Sequence, residues 1–162
     1  MKTYDNFLTE QDKEYIQSVI KSPKWQWGWK SIEKSNNYFW KIDKLEFDTF
    51  FNPYLLDKIK ELTGDNLAIE RIYMNGHTSG GHGNMHKDSE FKQGRTFIIY
   101  CNAEWNIEWG GGTYFAENDT VVNNKPYSAV YFKNNIEHFA MPLSKDFNGL
   151  RVTLAFKLLN ID

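Results

Sequence analysis

The chain carries a single cysteine, Cys101, in 162 residues. One thiol excludes an internal disulfide framework and any thiolate-rich zinc or iron–sulfur site, and it agrees with a reducing compartment. No stretch approaches the ~18–20 consecutive apolar residues of a membrane span, and the opening MKTYDNFLTEQDKEY lacks the apolar run of a secretory signal. The expectation is a soluble, cytoplasmic protein with no membrane partner. A large excess of one charge is also missing: 19 basic against 21 acidic side chains leave −2, so nothing points to nucleic acid. Histidine is limited to four residues and arginine to Arg71, Arg95 and Arg151. What is plentiful is aromatic residues, at 17%, which suits a strand-rich core or a stacking surface.

The length fits one domain, 1–162, in which 1–64 supports a β-rich core over 65–160. Thr9 with Asp12 three places on predicts an N-cap, and Tyr15, Ile16, Val19 and Ile20 follow at helical spacing, giving a helix over about 10–21. Two or three short strands are expected between 24 and 51, with Trp25, Trp27 and Trp29 alternating onto one buried face. Asn52-Pro53 predicts the start of a second helix, about 53–63, and Gly64 its end. Beyond it, β-rich runs recur at 67–74, 96–101, 112–115, 120–122, 128–132, 136–140 and 151–158, as in a sandwich or jelly roll. The interruption at 76–84 holds four glycines and reads as a mobile surface loop, a candidate lid.

Chemistry concentrates in a few residues. His86 and Asp88 lie two apart, so in an extended segment they point the same way, and His138 follows in another β run. Two imidazoles and one carboxylate form a facial triad that leaves one face of an octahedral Fe(II) open. A zinc cluster of His77, His82 and His86 is possible by count but leaves Asp88 unused; otherwise His77 and His82 are exposed or meet substrate at the site mouth. In 151–158 the apolar residues Val152, Leu154, Phe156 and Leu158 share one face, which turns Arg151 and Thr153 to the other. An arginine there needs an anion, either a ligand carboxylate or a surface acid.

The order Arg71-Ile-Tyr73, glycine-rich loop, His86-x-Asp88, Arg95-Thr-Phe-Ile-Ile-Tyr100, Trp105, Trp109-Gly-Gly-Gly, His138, Pro142 and Arg151-x-Thr153 resembles the Fe(II)/2-oxoglutarate-dependent dioxygenases, in their prolyl 4-hydroxylase-like branch. The resemblance spans roughly 67–158. It implies a mainly β, double-stranded β-helix fold (jelly roll, cupin-like) with supporting helices. It also implies Fe(II), 2-oxoglutarate and O2 as cofactors, with ascorbate a candidate reductant. His86, Asp88 and His138 resemble the metal ligands; Arg151, Thr153, Tyr100 and Tyr73 resemble co-substrate contacts, with Arg151 on the distal carboxylate. Gly110, Gly111 and Gly112 match a tight turn needing positive φ. Collagen-type relatives have lysine where this chain has Arg151, and the segment 141–149 is expected to absorb a longer interval after His138. The implied activity is hydroxylation of a prolyl residue in a protein or peptide, releasing succinate and CO2, with Trp105, Trp109 and the 76–84 loop as candidate contacts. One alternative is a hydroxylase of a free amino acid or small metabolite. Another, of a different class, is a non-catalytic jelly-roll module that binds carbohydrate or protein, using the three tryptophans as a platform.

Overall fold

Thr9 caps the first helix as its spacing predicts. In the computed structural model, which describes residues 1–162, helix α1 (Glu10–Ile20) opens with a capping box: the Asp12 amide donates to Thr9 Oγ1 at 3.2 Å, and the Thr9 amide donates to Asp12 Oδ2 at 2.8 Å. Asp12 also ties α1 to the second helix, α2 (Leu56–Thr63), accepting from Tyr54 Oη at 2.8 Å and pairing with Lys58 Nζ at 2.5 Å. The expected start of α2 at Pro53 is not seen. Residues Phe50–Leu55 form a wider π-type coil in which Asn52 is extended, so the regular helix begins three residues later. Its end at Gly64 is as expected, with φ +75 in the left-handed region.

The strands are β1 (Lys2–Tyr4), β2 (Gln26–Trp29), β3 (Phe39–Ile42), β4 (Leu67–His77), β5 (Gly94–Tyr100), β6 (Thr113–Phe115), β7 (Thr120–Val122), β8 (Ala129–Lys133), β9 (His138–Ala140) and β10 (Arg151–Asn160). Seven of them form one antiparallel sheet in the order β1-β8-β5-β10-β4-β3-β2, and three form a second, β7-β6-β9. The two sheets make the expected jelly roll. The N-terminal segment does more than support it: β1 extends one edge of the large sheet, and β2 and β3 extend the other. No helix is long and apolar enough to cross a membrane.

Strand β10 lies between β4 and β5 and sorts its side chains by parity. Val152, Leu154, Phe156 and Leu158 join Ile16, Val19, Leu55 and Ile59 in the main apolar core beneath the helices. Each such side chain contributes about 1.5–3 kcal/mol by leaving water. Arg151, Thr153, Ala155 and Lys157 face a cavity on the other side, where a smaller cluster of Tyr100, Phe115, Val130, Phe132 and Ile136 closes the space toward the second sheet.

Three expectations change. Strand β4 runs through Gly76 and His77, because Val152 and Arg151 supply ladder partners for them. The rest of the glycine-rich segment is tied down: Gly80 and Gly83 amides donate to the carbonyls of Leu143 and Ala140, and Leu143 donates back to Gly81. The three tryptophans do not share a face, since Gly28, at φ +107, interrupts the register between Trp27 and Trp29. Trp25 packs against the main core, Trp27 is exposed beside Trp40 and Trp29 lines the cavity, so the carbohydrate platform is not formed.

Replacing Asp12 by Ala should cost about 2–4 kcal/mol, because it removes a cap and strands the Lys58 and Tyr54 partners, whereas Thr9→Ala should cost about 1 kcal/mol. Urea unfolding followed by circular dichroism gives both numbers; equal losses would show that the α1–α2 tie contributes nothing.

Candidate metal centre

His86 and His138 are adjacent because their backbones exchange two hydrogen bonds, each amide donating to the other's carbonyl at 3.0 Å. This isolated antiparallel bridge extends the small sheet beyond β9 and places the imidazoles side by side, with ring centres 4.6 Å apart. Each ring is oriented from behind: His86 Nδ1 lies 2.7 Å from the Asn84 carbonyl, and His138 Nδ1 lies 2.9 Å from the Ile136 carbonyl. A carbonyl only accepts, so both Nδ1 atoms carry a proton, and the Nε2 atom of each ring is the one left to bind a metal. They face Asp88, whose Oδ1 is 3.4 Å from His86 Nε2 and whose Oδ2 is 3.7 Å from His138 Nε2. One ligand atom from each of the three residues lies within 4.8 Å of the others.

This donor set fits a divalent ion. Two neutral imidazoles and one carboxylate occupy three positions of an octahedron and leave three for ligands. Burial keeps His138 unprotonated, pushing it down to about 4 against the opposing pull of Asp88. Burial alone would raise the Asp88 carboxyl, but the Lys157 ammonium holds it well below the usual carboxylate range. Lys157 forms an ion pair with Asp88 and donates to Thr96 Oγ1 at 3.1 Å, while Thr96 Oγ1 in turn lies 2.7 Å from Asp88 Oδ2. Phe132 and Phe115 pack on the His138 ring at 4.7 and 5.8 Å and keep water from its inner face.

The triad opens onto a cavity of about 300 Å³ between the sheets. Side chains from four rows of the large sheet form its floor, all but Thr96 and Tyr100 lining it, in positions set by strand register. Arg151 stands beside His77; Thr153 between Tyr100 and Asn75; Ala155 between Ile98 and Tyr73; Lys157 between Thr96 and Arg71. Arg151 is buried, with its Nε donating to the Gly111 carbonyl at 2.6 Å and no carboxylate of the protein within salt-bridge distance. Its Nη atoms make no hydrogen bond inside the protein. Gly111 has φ +68, and a Cβ there would lie 3.1 Å from Arg151 Cδ and 2.7 Å from Leu143, so the expected glycine turn is what lets the guanidinium settle.

Of the residues predicted from sequence, His86, Asp88, His138, Arg151, Thr153 and Tyr73 all line this cavity. Tyr100 does not. It is fully buried, and its hydroxyl is used within the protein, 2.8 Å from Thr113 Oγ1 and donating to the Val122 carbonyl at 3.3 Å. Its ring lies 5.8 Å from the Arg151 guanidinium carbon, so it serves as a wall for that arginine. Trp105 and Trp109 pack with each other and with Phe147, in the longer 141–149 segment, and do not line the cavity. The zinc cluster is not formed: His77 and His82 do not join the group of potential ligands around His86. His77 is not exposed either. It is 4% accessible, its ring tilted against Phe39 with centres 4.7 Å apart, and neither ring nitrogen has a partner. Sequence reading missed Lys157, Lys41 and Arg71 in the cavity; extending the β10 alternation from Arg151 to Lys157 would have found the first.

No protein-family model matches the chain, and no curated protein does. Solved structures match its fold. An oxidoreductase of the 2OG-Fe(II) oxygenase family from Burkholderia pseudomallei aligns with a TM-score of 0.74 at 8% identity, covering 99% of this chain and 85% of its own. The viral collagen prolyl hydroxylase of Paramecium bursaria Chlorella virus-1, solved with 2OG, gives 0.63 at 15% identity, covering 99% and 96%. The alpha-ketoglutarate-dependent epimerase SnoN of nogalamycin biosynthesis gives 0.70 at 9% identity, covering 98% and 76%. The class this defines is one of fold: the chain has the double-stranded β-helix that these 2-oxoglutarate–iron oxygenases share.

Burial pushes His77 down to about 3, with Arg151 adding to the effect. The unfolded chain therefore binds a proton near pH 6.5 that the folded one refuses, and stability falls as pH drops through that window, by up to about 1.4 kcal/mol per pH unit from this residue. His77→Gln should flatten the decline between pH 6.5 and 4 in urea titrations; a slope equal to wild type would show that His77 is protonated in the fold.

Proposed function

We propose that the protein is an Fe(II)- and 2-oxoglutarate-dependent hydroxylase. The observation that carries this reading is the convergence of His86, Asp88 and His138 on a cavity that also contains Arg151, a buried guanidinium with no carboxylate of its own, within the fold of 2-oxoglutarate–iron oxygenases. Iron(II) held by the triad would supply oxidation of a substrate C–H bond to C–OH by dioxygen, balanced by conversion of 2-oxoglutarate to succinate and CO2.

The chain's residues have distinct tasks. His86, Asp88 and His138 hold the metal, with the Asn84 and Ile136 carbonyls fixing the two rings. Arg151 grips the distal carboxylate of 2-oxoglutarate through its two free Nη atoms, a planar match that lysine cannot reproduce. Thr153 adds a hydroxyl in the adjacent row, Tyr73 forms the side wall, and Tyr100 keeps the guanidinium in place. The acceptor we favour is a prolyl residue in a protein or peptide, on the likeness to the viral collagen prolyl hydroxylase. A small-molecule acceptor is the second reading, favoured by the lysines and arginines that line the cavity wall.

The test is succinate formation from 2-oxoglutarate that requires added Fe(II) and is abolished in Asp88→Ala, with hydroxyproline sought in peptide and free-amino-acid substrates. Arg151→Lys should raise the 2-oxoglutarate KM by about 10- to 100-fold, and Arg151→Ala should remove most turnover, both with Mn(II) affinity little changed. Unaltered calorimetric 2-oxoglutarate binding in Arg151→Ala would remove this residue from the site.

A further inference from the structure

Six cationic side chains line the cavity: Lys30, Lys41, Arg71, Lys87, Arg151 and Lys157; its one carboxylate is Asp88. Lys87 bonds to Glu90, Lys157 pairs with Asp88, and the proposed co-substrate takes Arg151. Of the three that remain, Lys30 turns to the Glu33 carbonyl and the Tyr38 ring, Lys41 has one long ion pair with Asp43, and Arg71 has no protein carboxylate. Lys41 is 5% accessible, its nearest carboxylate is Asp43 at 3.7 Å, and its ammonium sits 3.9 Å from the Trp29 ring centre and 4.2 Å from that of Tyr73. The Arg71 guanidinium lies 5.2 Å from the same Tyr73 ring, with no protein carboxylate in ion-pair reach. Burial pushes the Lys41 ammonium down, Asp43 opposes this, and Arg71 and Lys157 push it further; Lys41 and Arg71 share the Tyr73 ring. Asn75 completes the picture: it pairs in register with Lys41 and Thr153, and its Oδ1 is buried without a partner. A buried ammonium such as that of Lys41 costs stability unless an anion balances it, and the exposed Arg71 beside it adds a second positive charge.

The register separates Arg71 from the co-substrate end, and Lys41, rooted in the Thr153 row, carries its ammonium to the Tyr73 ring that Arg71 shares. Arg151 pairs with His77, and Lys157 with Arg71, six residues further along β10, about 20 Å of strand. A short diacid gripped at Arg151 leaves Arg71 uncompensated. We propose that Lys41 and Arg71, flanking Tyr73, form a second anion subsite, and that the substrate brings its own carboxylate or phosphate to it. The word substrate rests on the oxygenase reading; the anion subsite itself does not. An internal prolyl residue in a neutral peptide would leave both cations unmatched.

The test is calorimetric titration with methyl phosphate and with acetate at constant ionic strength, on the protein alone and on the protein saturated with Mn(II) and 2-oxoglutarate. Saturable binding is expected in the loaded protein, weakened at least tenfold in Lys41→Gln and in Arg71→Gln and unchanged in Lys145→Gln, a surface control. Arg71 is exposed, so its variant tests the cluster even if the Lys41 variant does not fold. Tighter methyl phosphate points to a phosphate ester and tighter acetate to a carboxylic acid, and either order supports the subsite. No saturable binding in either condition overturns it while leaving the metal site standing. Binding to the protein alone, with no uptake of Mn(II) and 2-oxoglutarate, keeps the subsite and overturns the oxygenase reading. A tenfold loss of 2-oxoglutarate affinity in both variants would assign the two cations to the co-substrate and contradict the proposal.

Discussion

Strand β10 is held on both sides, by β4 and by β5, and its two-residue alternation decides what lies inside the core and what faces the cavity. A one-residue slip would drive Arg151 and Lys157 into the apolar layer beneath α1 and α2 and turn Leu154 and Phe156 toward His86, Asp88 and His138. The long ladder prevents this, because every apolar contact on one face fixes a polar side chain on the other. Core packing and site geometry are therefore one constraint.

The cavity is held together against an electrostatic cost. Asp88 is stabilised by Lys157, and Arg151 keeps one hydrogen bond to the Gly111 carbonyl, but His77 and Asn75 Oδ1 remain buried without partners. Unpaired polar groups of this kind each cost about 1–3 kcal/mol. The large apolar core on the opposite face of the same strands offsets that cost, so an arrangement that lowers stability by itself persists where ligands can use it.

Features governed by near neighbours were legible in the sequence. The Thr9–Asp12 box, the end of α2 at Gly64 and the β10 alternation each depend on a few adjacent residues and are found as expected; of the glycine turn at 110–112, Gly110 and Gly111 take the expected positive φ and Gly112 does not. The His86, Asp88, His138 set was legible because residue types with such specific chemistry recur in a recognisable order. What escaped depended on partners distant in sequence. Gly76 and His77 look like loop residues until Val152 and Arg151 pair with them. The tryptophans alternate on paper, but a bulge at Gly28 separates them. Lys41 reaches the cavity because β3 joins the edge of β4, a pairing that no local pattern announces.

The central claim is that one metal ion sits among three side chains and is completed by an exogenous diacid. Crystals of the full chain grown with Mn(II) and 2-oxoglutarate, with data collected at a wavelength where manganese scatters anomalously, test this directly. The account predicts a single strong anomalous peak about 2.0–2.3 Å from His86 Nε2, His138 Nε2 and an Asp88 carboxylate oxygen, with 2-oxoglutarate density reaching Arg151. A peak at His77 or His82, or none in the presence of bound 2-oxoglutarate, would contradict it.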